Sequence, residues 1–301
     1  MIERYDLLLQ EAQEAFASGD LEGALQHFET AEKLASDHGD GDRADRAACS
    51  VCFVLIEMGQ AEAQIPVLRR LFIGTNDSFN RWSSAYSLAV AFDVSGDLDS
   101  ASAWADRSAQ LSERIDNREG PVRANNLAGI LSLRRSNFNQ AEGFFKRALI
   151  ALENPKSLNE KTHRGTILGN LGYTFICTER LKEGLKLCEQ ARDTLDEASA
   201  DHLIYENLQD LCYGYILDNQ LERAHTAGGR ALALAERYDD NQVMKNCLFL
   251  LAEVAVRRGD AFRGRRYLRE LAEFYPEIEM NEEIIDVFLT TDLTNVVNLR
   301  G

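Results

Sequence analysis

The chain has 301 residues, and 49 acidic residues against 33 lysines and arginines give it a net charge of −16. This charge argues against a protein whose main task is to bind nucleic acid or an anionic membrane. No apolar run approaches the ~20 residues that span a bilayer, and the N-terminus lacks a signal-peptide core. Six cysteines in a chain of this length do not make a disulfide framework, so we expect reduced thiols and a cytoplasmic location.

One sequence pattern returns seven times along the chain. It consists of a helix breaker, a polar residue and, five positions after the breaker, a small residue that opens an apolar helix, as in Gly19–Ala24 and Gly96–Ala101. A glycine at the breaker adopts a left-handed conformation without strain, and the following Asp or Asn can cap the next helix. The fifth position recurs about every 40 residues. The small residues at this position are Ala24, Ala101, Ala141, Gly184, Ala224 and Gly264, and the second, weaker copy departs from the pattern with Gln64.

The pattern predicts that each copy is a pair of helices around a tight turn, for example over residues 82–95 and 97–113. Such a pair cannot bury its apolar face alone, so stacked pairs are expected to share one continuous core without an internal domain boundary. We therefore predict an all-α solenoid over 1–276, with a C-terminal amphipathic segment over 277–301. The seven predicted pairs span 3–38, 42–77, 80–116, 120–155, 161–199, 203–239 and 242–276.

These phrases resemble the tetratricopeptide repeat, which pairs Leu-Gly-x-x-Tyr on a first helix with Ala-x-x-x-Phe-x-x-Ala on a second. Leu171-Gly172 matches the first helix, and Ala141 with Phe145 and Ala148 matches the second. The 40-residue period is similar to the longer subtype of kinesin light chains and MalT-like regulators, and Asn125-Asn126-Leu127-Ala128 is similar to phrases of that subtype. The resemblance implies an α-α superhelix whose first helices line a concave groove.

Three sets of residues on the first helices are candidates to line this groove. Each set takes the residue at one equivalent position from successive repeats, and we call such a set a column. A polar residue beside the most apolar positions is expected to face water or a ligand, because burying it unpaired is costly. Asparagine can bind both the N–H and the C=O of a peptide backbone, and aromatic residues supply contact area. An alternative is that the tyrosines and isoleucines are packed between neighbouring repeats. The polar column is Gln10, Ser50, Ser87, Asn126, Asn170 and Asp210, and the columns that follow it include Gln13, Phe16, Phe53, Tyr173, Ile176, Tyr213 and Ile216.

The predicted groove residues are therefore Asn126, Asn170, Asp210 and Ser87 as polar contacts, and Phe53, Tyr173, Tyr213 and Ile176 as apolar walls. Arg257 is added because arginines crowd the seventh repeat. These arginines form either a solvated face paired with acidic residues or a site for an anionic partner, with Arg257 nearest the groove.

The C-terminal segment has two interpretations. Ile284, Ile285, Phe288, Leu289, Leu293, Val296 and Val297 are spaced as in an amphipathic helix. They would either cap the solenoid or lie in a groove, that of this protein or of a partner.

Catalytic signals are weak. The five histidines are scattered, and Cys49-x-x-Cys52 has no second pair of the kind that binds zinc. We therefore predict no enzyme activity, no metal and no cofactor, and a scaffold that binds a peptide segment of a partner protein. The alternatives are a peptide-sensing regulator, or a self-assembling protein whose copies meet through the C-terminal segment or through Leu7, Leu8 and Leu9 of repeat one.

Overall fold

The computed structural model describes residues 2–276, 282–292 and 299. Within these residues the chain forms 15 α-helices and no strand, and none of these helices is long and apolar enough to cross a membrane. The helices α1 to α8 are Ile2–Ala17, Leu21–Asp37, Gly41–Glu57, Ala61–Gly74, Ser78–Val94, Leu98–Ser112, Glu119–Arg134 and Phe138–Ala151. The helices α9 to α15 are Leu158–Cys177, Leu181–Glu197, Asp201–Leu217, Leu221–Arg237, Asn241–Arg257, Ala261–Ala272 and Glu282–Thr290.

The first fourteen helices follow the predicted order of seven pairs, and the chain forms two compact units. The first unit, Met1–Leu131, contains α1 to α6 and most of α7. The second unit, Ser132–Gly301, contains the end of α7 and α8 to α15. In both units the first helices of successive pairs are in contact, as α3 is with α5 and α9 with α11.

All seven predicted helix breakers adopt a left-handed conformation. Gly19, Gly59, Gly96 and Gly259 have φ values of 80–83°. Ser136, Glu179 and Asn219 take the same turn at φ values of 56–62°, which is unfavourable for a residue with a side chain. The carboxylate of Asp97 then accepts a hydrogen bond from the backbone N–H of Ser100 at 3.0 Å, as predicted for a cap.

The small residues of the repeat lie where two helices approach closely. Ala24, Ala101, Ala141 and Ala224 are fully buried. At Gly184 a Cβ would stand 2.6 Å from the backbone oxygen of Gly172, so no side chain fits between α9 and α10. The burial of these residues confirms that small side chains stand five positions after the breaker, where two helices are in close contact.

The start of the chain is packed into the core of the first unit. Leu8 is 2 % exposed and lies in a cluster with Tyr5, Ala31 and Ala35, and Leu9 packs beside it. The prediction that Leu7, Leu8 and Leu9 are all available for contact with another copy is therefore wrong for Leu8, because α1 turns this side chain toward α2. Leu7 is exposed.

At the other end of the sequence, α15 packs against α13 and α14. Ile285 is buried among Leu248, Ala252 and Leu268, with Phe288 and Leu289 beside it. Leu293, Val296 and Val297, which were predicted to continue the amphipathic pattern, lie outside the described residues.

Candidate functional site

A cavity within the first unit is lined mainly by the first helices of the repeat pairs. Its volume is about 290 Å³. Helices α1, α3 and α5 contribute most of its walls, and α2, Asn117 and the start of α7 contribute the rest. We call it the aromatic cavity. Its lining residues are Gln13, Phe16, Phe28, Cys49, Ser50, Phe53, Val54, Phe79, Trp82, Ser83, Tyr86, Ser87, Asn117, Glu119 and Arg123.

Aromatic rings from three helices form a continuous wall of this cavity. Phe16 of α1 and Phe53 of α3 have ring centroids 5.8 Å apart, and Phe53 lies 6.1 Å from Tyr86 of α5. Tyr86 stacks on Trp82 at 5.9 Å, and Trp82 contacts Phe79 at 5.2 Å. These separations are in the range in which ring quadrupoles attract. The rings therefore support one another and hold their positions.

The indole of Trp82 is a buried donor in this wall. The residue is 5 % exposed, and its Nε1 has no hydrogen-bond partner. Most buried polar groups in proteins are hydrogen-bonded, and an unsatisfied one costs free energy. Because Trp82 lines the cavity, this N–H group is a candidate donor to an acceptor atom of a ligand.

Helix α7 brings charge to the cavity. Asn117 caps the helix, because its Oδ1 accepts hydrogen bonds from the backbone N–H groups of Glu119 at 2.8 Å and Gly120 at 3.2 Å. One turn later, the guanidinium carbon of Arg123 lies 4.9 Å from the Tyr86 ring centroid and 5.6 Å from that of Phe53. The guanidinium is 3.6 Å from the Glu119 carboxylate. That separation gives an ion pair, but it exceeds hydrogen-bond length.

The two cysteines of the Cys-x-x-Cys sequence lie in the helix that borders the cavity, and both are buried. Burial raises the pKa of Cys49 to about 11, partly offset by its contact with the Ser84 hydroxyl, and raises the pKa of Cys52 to about 12. Both thiols are therefore protonated at neutral pH, which is the opposite of the activated thiolate that redox chemistry needs.

Some of the predicted groove residues of the first unit do line this cavity. Phe53 is half-buried in its wall, and Ser87 lines it as well, with Gln13, Phe16 and Ser50 from the same sequence columns. Ser87 is 1 % exposed, so it does not face bulk water, and its predicted contact with a ligand stays a prediction. Asn126 is half-buried on α7 and is not among the lining residues.

Sequence reasoning missed Trp82, Tyr86 and Arg123. The first two, with Phe79, stand at intervals of three and four residues on α5, and this spacing places all three on one side of a helix. That aromatic stripe was a readable signal. Arg123 had no comparable signal, because its position depends on where α7 begins.

In the second unit, the predicted polar residues are closed off between helices. Asn170 of α9 is 5 % exposed and Asp210 of α11 is fully buried, which contradicts the expectation that they face water. With Asn207 they border a space of about 10 Å³, which is enough for one water molecule and too small for a peptide group. The reason is close helix packing, since a Cβ at Gly169 would stand 2.9 Å from Nδ2 of Asn207. The role of these residues in binding stays a prediction.

The apolar residues predicted for the same region are largely packed between repeats. Tyr173 and Ile176 are 3 % and 5 % exposed, and Tyr213 is half-buried. Ile176 fills the space beside Gly184 of α10 and Gly214 of α11, where a Cβ would lie 2.8 Å and 3.0 Å from its side chain. For Ile176 the alternative of packing between neighbouring repeats is the correct one.

Arg257, at the end of α13, is held by acidic partners of its own chain. Its Nε donates to Glu253 at 2.5 Å and its Nη2 donates to Asp292 at 3.1 Å. Near the start of the same helix, Asn246 donates to the backbone oxygen of Leu299 at 3.4 Å, and Leu299 is 3 % exposed. The C-terminal segment thus meets α13 at two places.

The other arginines of the seventh repeat are also paired with carboxylates. Arg269 lies 2.7 Å from Glu282, and Arg265 contacts both Glu282 and Asp286 of α15. Arg258 pairs with Glu222 at 2.9 Å. This pattern is the solvated, ion-paired face that the sequence allowed, and such exposed pairs contribute little to stability individually.

Comparison with solved structures finds similar folds among tetratricopeptide-repeat proteins. RapI without ligand matches 94 % of this chain and 79 % of its own length, with a TM-score of 0.68 and 11 % identity. A Rap protein complexed with competence and sporulation factor matches 95 % of this chain and 85 % of its own, with a TM-score of 0.66 and 9 % identity. A signal-transduction ATPase with a tetratricopeptide-repeat sensor, from Pyrococcus horikoshii, matches 93 % of this chain and 44 % of its own, with a TM-score of 0.67 and 15 % identity.

No family model and no curated protein sequence matches the chain. At the identities of the structural matches, the likeness establishes the fold. The chain has an all-α fold of tetratricopeptide-repeat type, as the sequence predicted.

Proposed function

We propose that this tetratricopeptide-repeat protein is a non-catalytic interaction protein that binds a peptide segment of a partner, with the aromatic cavity of the first unit as the main contact. The observation that carries the proposal is the buried indole N–H of Trp82, which lacks a partner within a wall of aromatic rings. Few, well-placed polar groups in an otherwise apolar concavity are typical of ligand sites in proteins.

Two further observations support a peptide as the ligand. The cavity, at about 290 Å³, is at the lower end of the range for small-molecule sites and suits one large side chain of a longer ligand. Aromatic and arginine residues such as Phe53, Tyr86 and Arg123 are the types that dominate binding energy at protein interfaces. The similarly folded Rap protein is bound to competence and sporulation factor, which supports a binding role for this fold.

The chemistry of the cysteines supports a non-catalytic role in a reducing compartment. None of the six forms a disulfide, and the two nearest the cavity are protonated at neutral pH. We propose the cytoplasm, where free thiols persist. A net charge of −16 disfavours nucleic acids and anionic membranes as partners.

A peptide-sensing regulator is the second candidate, and the C-terminal segment favours it. Asp292 and Leu299 contact Arg257 and Asn246 of α13, which is the first helix of the seventh repeat. The family resemblance assigns ligands to the surface that such first helices form. Removing residues 292–301 should then change the affinity for the peptide. An unchanged affinity would argue for a purely capping role of the segment.

The main proposal is tested by selecting peptides from a random displayed library against the purified full chain. Affinities of the enriched peptides are then measured by calorimetry for the wild type and for Phe53→Ala/Tyr86→Ala. We expect at least a tenfold loss, because truncating two central rings of an interface removes more than 1.4 kcal/mol.

Trp104→Phe is the matched control, since Trp104 packs on Phe72 at 5.0 Å, away from the cavity. It should bind the enriched peptides as the wild type does. Circular dichroism checks that all variants are folded. Equal affinity of the cavity variant and the wild type would refute the proposed site.

A further inference from the structure

We propose that the aromatic cavity recognises an aromatic side chain that stands next to a carboxylate, so that the ring enters the cavity and the carboxylate binds at Arg123. This inference rests on the proposed function and names the chemistry of its ligand. The carboxylate could belong to an adjacent Asp or Glu or to the C-terminus of the peptide. Both sources present the same planar anion to the guanidinium.

The shape and lining of the cavity select the ring. Phe53, Tyr86 and Trp82 already contact their neighbours at centroid distances of 5.8–6.1 Å. A further ring placed among them makes the same edge and face contacts. The volume of about 290 Å³ admits one such side chain and not an extended peptide.

The donors around the cavity select an acceptor rather than a second cation. Trp82 Nε1 needs an acceptor, and indole can only donate. An incoming cation would meet the guanidinium of Arg123 already placed over Tyr86 and Phe53.

The ion pair of Arg123 is loose enough to be exchanged. Its distance to Glu119 is 3.6 Å, and the Glu119 side chain is 54 % exposed while that of Arg123 is 35 % exposed. A ligand carboxylate that forms two parallel hydrogen bonds with the guanidinium at about 2.8 Å is a better partner than this contact. Glu119 can then turn to solvent at little cost.

The test uses one buried reporter in the full chain. The protein has two tryptophans, so Trp104→Phe leaves Trp82 as the single indole signal in a nitrogen-15 correlation spectrum. The probes are N-acetylphenylalanine, its uncharged amide, N-acetylalanine and phenethylamine. We expect N-acetylphenylalanine to shift the Trp82 indole signal saturably, with a dissociation constant on the order of 1 mM.

The amide should bind about tenfold more weakly, because it lacks the charge-assisted pair with Arg123. Arg123→Gln should remove this difference, because it removes the charge-assisted partner of the carboxylate. Arg107→Gln is the matched control, since Arg107 lies 5.0 Å over the Phe72 ring and does not line the cavity. It should keep the tenfold preference for the carboxylate.

Two peptides distinguish the source of the carboxylate. Acetyl-Gly-Gly-Phe offers a C-terminal carboxylate, and acetyl-Gly-Glu-Phe-Gly-amide offers an internal one. Preference for either, lost in Arg123→Gln, supports the proposal and identifies the source.

Tighter binding of phenethylamine than of N-acetylphenylalanine, or an unmoved Trp82 signal with every aromatic probe, would overturn the inference. Library peptides that depend on Phe53 and Tyr86 without any preference for a carboxylate would overturn it too, while leaving the proposed function intact. Library peptides indifferent to Phe53 and Tyr86 would refute the proposed function itself.

Discussion

The first helices of the repeats meet differently in the two units. In the first unit, the bulky rings Phe16, Phe53 and Tyr86 stand between successive first helices and border an open cavity. In the second unit, Gly169 lies against Asn207, and the polar residues around them enclose a space of about 10 Å³. The same repeat therefore yields a cavity or a sealed wall according to side-chain size at a few positions.

The turns of the two units differ as well. All three breakers of the first unit are glycines, whereas Ser136, Glu179 and Asn219 occupy three of the four in the second unit at positive φ. A left-handed residue with a side chain stores strain. The second unit thus combines tighter packing between helices with less favourable turns.

The largest expected effect concerns the tight packing in the second unit. Gly184→Ala would place a Cβ 2.6 Å from the backbone oxygen of Gly172, which cannot move aside cheaply. We expect a loss of about 3 kcal/mol in the free energy of unfolding, measured by urea denaturation. Gly229→Ala on α12, where nothing lies within 4 Å, is the matched control and should gain about 0.5–1 kcal/mol. Equal effects of the two changes would mean that α9 and α10 are not closely packed.

A smaller effect is expected from substitutions at the buried polar residues of the second unit. These substitutions distinguish a role in stability from a role in peptide binding. Asn170→Ala and Asp210→Ala each remove a buried polar side chain that borders the space of about 10 Å³. We expect each to lower the free energy of unfolding by about 1–2 kcal/mol and to leave the affinity for a library-selected peptide within about twofold. A loss of peptide affinity without a loss of stability would show that the second unit binds the ligand.

The smallest effect concerns the turns. Glu179→Gly should relieve the positive φ of 62° and raise the free energy of unfolding by about 0.5–1 kcal/mol. Gly96→Ala, at a φ of 80°, should lower it by about 1 kcal/mol. Both are measured by thermal unfolding followed by circular dichroism. If Glu179→Gly destabilises the protein, the side chain of Glu179 contributes more than the strain of its turn costs.

The repeat, the helix pairs and the turns could be predicted from the sequence because they depend on local rules. A turn is determined by its breaker, such as Gly19 or Glu179, and the close approach of two helices is permitted by the small residue five positions later. Both effects depend on residues that are near one another in the sequence. The placement of Phe53 and Ser87 on a lining surface came from the family resemblance, and both border the aromatic cavity, although their role in binding stays a prediction. The burial of Asn170 and Asp210 could not be predicted from the sequence, because it depends on how closely α9 approaches α11, which Gly169 and Asn207 decide together across about forty residues of sequence.

Hydrogen exchange with and without a library-selected peptide tests most directly that the open face of the first unit is the binding surface. The predicted result is slower exchange in α3, in α5 and in residues 119–131 of α7 when the peptide is bound, with unchanged exchange in α9 and α11. Slower exchange in α9 and α11, with α3 and α5 unchanged, would contradict it.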